Sequence, residues 1–218
     1  MVIFDNTTLY PSLHRQCVSQ ALEYFFYVGK IKMQWSMVVI PVKWNKPLPG
    51  WYKLNIDGAS LGNLGRVRGG GLIRDSSRNW VESFSRSIAR ETSMIAKFWA
   101  LRDGLILASQ LDIQYLEIEL DAKVVDLINS SNPSNAAYSS LLVDCKLLLN
   151  MLPRARVKHV FWEANLCADA LAKNGCTLDV EFCVFDVLPS FVTALVYFDV
   201  NGVNYCRLTA ANLAILAW

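Results

Sequence analysis

Apolar and polar residues alternate along "WYKLNIDGA", with Tyr52, Leu54 and Ile56 on one side, and this period of two predicts a strand. "RGGGLIRDS" follows a glycine-rich turn and predicts a second strand. After the turn "SSRN", "WVESFSRSI" alternates again and predicts a third. Three consecutive strands with short turns form an antiparallel meander. The period then changes. In "ETSMIAKFWALRDGL", Met94, Phe98, Leu101, Leu105 and Ala108 recur at helical spacing, and Thr92 or Ser93 stands where a cap is needed. A second line on that helix, Ser93, Lys97, Ala100 and Gly104, is small except for the lysine, so something packs or binds close to it.

Further along, "YLEIELDA" predicts a strand ending in an aspartate, and "AKVVDLINS" a short helix closed by the polar run "SSNPSN". "AYSSLLVDCKLLLNML" predicts an amphipathic helix stopped by Pro153, and "RVKHVFWE" a fifth strand. "NLCADALAKNG" is a helix with Gly175 past its end, the usual C′ signal. A strand–helix–strand unit after a meander implies a mixed α/β sheet with helices packed on it. The flanks are less regular. "LHRQCVSQALEYFFYVGK" suggests a short helix, "WSMVVIPVKW" a strand, and "NKPLPGW" a linker, while the late chain shows strand-like patches such as "TALVYFDV". The expected division is an N-terminal segment over 1–43, a domain over 44–178 and a C-terminal extension over 179–218.

The 218 residues are 53% hydrophobic and 18% charged, as expected of a folded globular chain. A net charge of +2 does not mark a strongly basic nucleic-acid binder, though it leaves room for a local basic groove. Cysteines at 17, 145, 167, 176, 183 and 206 include no C-x-x-C pair, and His14 and His159 are the only histidines, so a structural zinc site is not expected. Scattered cysteines suit reduced thiols in an intracellular protein, nucleus or cytoplasm being open. "MVIFDNTTLY" lacks the basic start and apolar run of a signal peptide, and the apolar stretch 187–198, broken by Pro189, is too short to cross a membrane.

Three aspartates stand at suggestive places. Asp57 lies inside an apolar strand, Asp121 ends another, and Asp169 lies in the first turns of the last helix. Each has a plain structural job available: a turn residue before Gly58, a helix cap, a favourable charge at a helix start. Together, three carboxylates on two strands and a helix of one mixed domain can converge. Convergent carboxylates suit magnesium, and two such ions can clamp the attacking and leaving oxygens of a phosphoryl transfer.

The element order, with "KLNIDGAS", "GGGLIRD", "FWALRDGL", "EIELDAK" and "HVFWEANLCADALAK", closely resembles the ribonuclease H-like domain of plant non-LTR retroelements over about residues 44–200. The resemblance implies a five-stranded mixed sheet, a three-strand antiparallel meander plus two parallel strands, flanked by helices. It implies cleavage of the RNA strand of an RNA–DNA hybrid by two magnesium ions held by four acids. Asp57, Asp121 and Asp169 match three of them. Lys97 stands where the family has a glutamate, in "AKFWALRDGL", so catalysis is expected to be impaired. His159 matches by spacing a histidine that helps free product in some members, but its place in the fifth strand favours a structural role. The family's hybrid contacts fall on Ser60, Asn63, Thr92 and Ser93. Arg66, Arg68 and Arg74 either add charge near the same turn or are ordinary solvated hairpin positions. Trp162 departs from an arginine common in the family, and Asn165 is placed to cap the last helix or to orient the loop, capping being preferred. The alternatives are a non-catalytic nucleic-acid-binding module or retroelement relic and, as a third reading, a protein-interaction domain using the apolar "LTAANLAILAW".

Overall fold

The computed structural model describes residues 37–60, 66–130, 136–175 and 178–210. In chain order the elements are β1 (Met37–Val42), β2 (Tyr52–Ser60), β3 (Arg66–Arg74), β4 (Trp80–Arg90), α1 (Ser93–Gln110), β5 (Tyr115–Leu120), α2 (Ala122–Asn129), α3 (Ser139–Met151), β6 (Arg154–His159), α4 (Leu166–Asn174), β7 (Phe182–Phe185), α5 (Ser190–Val200) and β8 (Tyr205–Ala210). Short 3-10 turns lie at Ala136–Tyr138 and Trp162–Ala164. The helix expected within the first 36 residues and most of the apolar tail "LTAANLAILAW" lie outside the described residues. Among the described residues, no helix is long and apolar enough to cross a membrane.

Two compact units divide the chain. In one, described over 37–43 and 204–210, β1 and β8 pair antiparallel. The other spans 44–203 and holds a mixed sheet in the order β6-β5-β2-β3-β4-β7. β2, β3 and β4 form the expected meander, and β2–β5 and β5–β6 are parallel. β7, only four residues long, adds a sixth strand antiparallel to β4.

Strand periodicity decides what each face meets. Leu54, Ile56, Leu116, Ile118 and Leu120 are buried in one cluster with Phe98, Leu101 and Leu105 of α1 and with residues of α2 and α3. On the opposite face Leu72 is buried with Cys167, Ala168 and Leu171 of α4 and with Val192 and Val196 of α5. The "TALVYFDV" stretch is therefore helical, not extended. Its β-branched and aromatic residues favour strands in isolation. However, Val192 and Val196 lie one turn apart and seat a helix on α4, and tertiary packing overrides propensity.

The small line on α1 has a packing role. A Cβ on Gly58 would lie 2.5 Å from the backbone nitrogen of Lys97, and one on Gly69 would lie 3.0 Å from Ala100 Cβ. On the other face a Cβ on Gly70 would lie 2.3 Å from the backbone nitrogen of Ala172. Both helices thus press onto the sheet at backbone distance. Gly175 ends α4 with ordinary right-handed dihedrals, φ −52°, so it is no left-handed cap; the space is taken by the Arg86 carbonyl, 2.3 Å from where its Cβ would be.

Candidate functional site

In β2, Lys53, Asn55 and Asp57 share the parity opposite to the apolar row. In β5, Glu117 and Glu119 do the same, followed by Asp121. The register sets Lys53 beside Glu117 and Asn55 beside Glu119. Buried charge is tolerated only when paired, and here the pairing is dense. Lys53, 1% exposed, forms ion pairs with Glu117 at 2.9 Å and with Glu119, and donates to the Asn45 carbonyl at 2.6 Å. The Asn55 amide nitrogen donates to Glu119 Oε2 at 2.9 Å and to Asn165 Oδ1 at 3.2 Å. Its oxygen accepts from Trp44 Nε1 at 2.9 Å and from Arg74 Nη2 at 3.0 Å. Arg74, fully buried, pairs with Asp199 Oδ2 at 2.7 Å and lies 3.7 Å from the Trp44 ring centroid. Asn165 Nδ2 donates to the Ile56 carbonyl at 2.9 Å. Asn165 sits at the N-cap of α4 but makes no side-chain cap bond. It instead ties the start of α4 to β2 one residue before Asp57.

This polar scaffold ends at the acids. Asp57 lies opposite Gly70 in the register, and its Oδ1 accepts from Gly58 N at 2.8 Å. Asp121 is the N-cap of α2, with Oδ1 accepting from Lys123 N at 2.9 Å. Asp169, in the first turn of α4, is buried, and its Oδ2 accepts from Lys173 Nζ at 2.6 Å. Lys97 rises from α1, and its Nζ donates to Asp121 Oδ2 at 3.0 Å.

The electrostatics differ between acids. Burial pushes the Asp57 carboxyl above its ordinary 3.8; the Gly58 N–H and the Lys97 charge oppose this, while the charges of Asp169 and Asp121 add to it. Asp57 thus feels all three of the other side chains. For Asp121, burial is outweighed by the hydrogen bond and charge of Lys97, aided by Lys123 N and the His159 charge, which hold its carboxyl below the usual range. Because Asp57 titrates higher folded than unfolded, its ionisation destabilises the fold as pH rises past 3.8. Asp57→Asn keeps an acceptor for Gly58 N and removes that charge. Its melting temperature should exceed the parent's at pH 7, and the gap should close as pH falls toward 4. Equal melting temperatures at pH 7 would show that the carboxyl carries no such burden.

His159 is the last residue of β6, exposed, with its ring 5.0 Å from Phe161 and its charge felt by Asp121. Thr92 caps α1, its Oγ1 accepting from Ile95 N at 3.3 Å, and Thr92 and Ser93 are exposed. Ser60 closes β2; Asn63 lies outside the described residues. Arg74 and Arg68 are not solvated hairpin residues: Arg74 belongs to the buried network, and Arg68 is buried with Nη1 donating to the Lys173 carbonyl at 3.3 Å. Trp162 is 55% exposed. Sequence reasoning missed Lys53, Asn55, Glu119 and Lys173, and preferred capping for Asn165 over the orienting role that its bonds to β2 give it. The available signal was the shared parity of Lys53, Asn55 and Asp57 with that of Glu117, Glu119 and Asp121.

The resemblance implies divalent metals, which require several anionic oxygens free to coordinate. Here Lys97 donates into the carboxylate of Asp121, and Lys173 into that of Asp169. Among the described residues, no group of three or more His, Cys, Asp or Glu is arranged to hold a metal ion. The donor set does not fit a two-metal centre.

Comparison with known proteins bears on the family and the fold. A family model described as reverse transcriptase-like matches residues 55–175. An Arabidopsis thaliana protein provisionally named a ribonuclease H protein is 34% identical over 162 residues, which are 74% of this chain but 26% of that protein, so the chain spans about a quarter of its relative's length. The ribonuclease H1 of the archaeon Halobacterium salinarum superposes with a TM-score of 0.55 at 25% identity, over 58% of this chain and 98% of its own. LC11 ribonuclease H1, solved in complex with an RNA/DNA hybrid, superposes at 0.50 and 19% identity over 56% and 94%, a likeness of fold alone.

Proposed function

This chain belongs to the reverse transcriptase-like family, with a ribonuclease H-like domain, and from that premise we propose that it binds RNA–DNA hybrids and hydrolyses them poorly or not at all. The observation that carries the reading is the 3.0 Å contact of Lys97 Nζ with Asp121 Oδ2. An ammonium there neutralises a carboxylate of the acid cluster and excludes a divalent cation by charge. Asp57, Asp121 and Asp169 remain the acids of the site, and Lys97 replaces their fourth partner. Magnesium belongs to the ancestral chemistry. Hybrid contact falls to Ser60, Asn63, Thr92 and Ser93. Thr92 and Ser93, exposed at the start of α1, offer hydroxyls suited to phosphate and ribose hydroxyls. The Thr92 and Ser93 hydroxyls do not depend on Lys97. We place the protein inside the cell, where the thiols of Cys145, Cys167 and Cys183 are at home. We infer descent from a plant retroelement, in keeping with the Arabidopsis relative.

The test combines two measurements on one preparation. A labelled hybrid is titrated at several salt concentrations and then followed for cleavage in magnesium. Affinity that falls steeply with salt, as phosphate contacts release counterions, together with background cleavage, is the expected result. No hybrid binding even at low salt would remove the binding reading. Rapid cleavage by the unaltered chain would remove the impaired one.

A further inference from the structure

β6 is an edge strand of the mixed sheet, and its exposed face carries Arg154, Arg156 and Lys158 at alternate positions. Alternate residues of a strand lie roughly 6.6 Å apart, a spacing comparable with that of successive phosphates along a nucleic-acid strand. Charged residues on an edge are commonly protective against edge-to-edge pairing, and that role needs no aromatic neighbours. This row has them. The Arg156 guanidinium lies 4.3 Å from the Trp51 ring centroid, Trp51 and Tyr115 stand 5.6 Å apart, and Tyr115 is 43% exposed. Basic groups that track a backbone beside aromatic rings that stack on bases are the combination used to hold single strands without sequence preference. Lys158 is engaged by Glu117 at 2.6 Å, but Glu117 also holds Lys53 at 2.9 Å, so Lys158 can turn to a phosphate without leaving that carboxylate unpaired. The register places Lys158 beside Glu119, and the next residues of that parity lead to Asp121.

We propose that the exposed face of β6, with Trp51 and Tyr115, binds the sugar–phosphate backbone of single-stranded nucleic acid on a track leading toward the acid site. This goes beyond the hybrid reading of the acid cluster and does not depend on it. The full chain is titrated with fluorescent oligo(dT) and oligo(rU) of about 12 nucleotides, within the usual range of single-strand sites, at several salt concentrations. Arg154→Gln with Arg156→Gln removes two exposed charges without setting new acids beside Glu117. It should lower affinity ten-fold or more and flatten the salt dependence by about 1.4, two phosphate contacts at roughly 0.7 each. Tyr115→Ala should weaken binding while leaving that slope intact. Thr92→Ala with Ser93→Ala should leave single-strand binding unchanged and weaken the hybrid, which separates failure of this track from failure of the hybrid reading. Native-level binding by the double arginine variant, with its melting temperature retained, overturns the proposal. A loss of single-strand binding in the Thr92/Ser93 variant overturns it as well. So does an acidic peptide such as oligoglutamate that displaces the oligonucleotide at equal concentration, since the face would then suit an acidic protein.

Discussion

Lys97→Glu should gain magnesium-dependent cleavage of RNA–DNA hybrids, by on the order of 10²-fold or more over the parent, the scale at which single electrostatic groups act in active sites. The substitution exchanges a cation for an anion beside Asp121. In the parent, an approaching divalent ion meets the Lys97 ammonium, and like charges a few Å apart repel by on the order of several kcal/mol at an effective dielectric near 20. In the variant that repulsion becomes attraction, and Asp121 Oδ2 is released from its donor. Lysine and glutamate have similar length and helix propensity, so α1 is not disturbed. Lys173 must also leave Asp169, which its 59% exposed side chain can do by swinging into solvent. Calorimetric titration with magnesium, without substrate, should show binding to Lys97→Glu that the parent lacks. Adding Asp57→Asn should abolish the gained rate, because an amide is a poor ligand for a hard cation. Magnesium binding without cleavage would mean that drift elsewhere, Trp162 being the first place to look, also limits the site. Neither binding nor cleavage would show that Lys97 is not what suppresses it.

Gly70→Ala is expected to be the most damaging single methyl in the site's frame. Its Cβ would come to 2.3 Å from Ala172 N, 2.5 Å from the Leu171 carbonyl carbon and 2.8 Å from Ala172 Cα, all backbone atoms of α4. No rotamer relieves such a clash, so the helix bearing Asp169 must lift from β3, where Gly70 stands opposite Asp57 of β2. Overpacking usually destabilises by about 1–3 kcal/mol, and a contact with helix backbone belongs at or above the upper end. A chain of this size should lose about 10 °C of melting temperature. Gly50→Ala is the control. Gly50 has φ +78° with nothing within 4 Å of the new methyl, so only backbone strain of about 1–2 kcal/mol applies. A Gly70→Ala melting temperature no lower than that of Gly50→Ala would mean that α4 sits more loosely on the sheet than described.

Where one physical signal dominated, the sequence was legible. Alternation in 52–60 and 80–90 and the stripe through Phe98, Leu101 and Leu105 placed the meander and α1, because burial on one face writes itself directly into periodicity. The lysine among small residues was visible for the same reason. The buried polar layer was not. Nothing local to Lys53, Glu117 and Glu119 on alternate positions distinguishes charge facing water from charge facing its partner. The partner of Arg74 is Asp199, 125 residues away, on a helix whose valines and aromatics favoured an extended reading. β7 was too short to be told from a loop, and it exists because β4 offers it an edge.

Lys97 is held in place by more than its ion pair. Its backbone nitrogen is packed against Gly58, so the strand that carries Asp57 also fixes the root of the lysine. The ammonium is thus an intramolecular counterion. A charged group on even a loose tether acts at roughly millimolar effective concentration, and one rooted in a docked helix acts well above that. Raising the magnesium concentration therefore sets a free solute against a tethered one that cannot be diluted. Suppression of the site travels with the folded chain, and magnesium offsets it only in excess of that effective concentration.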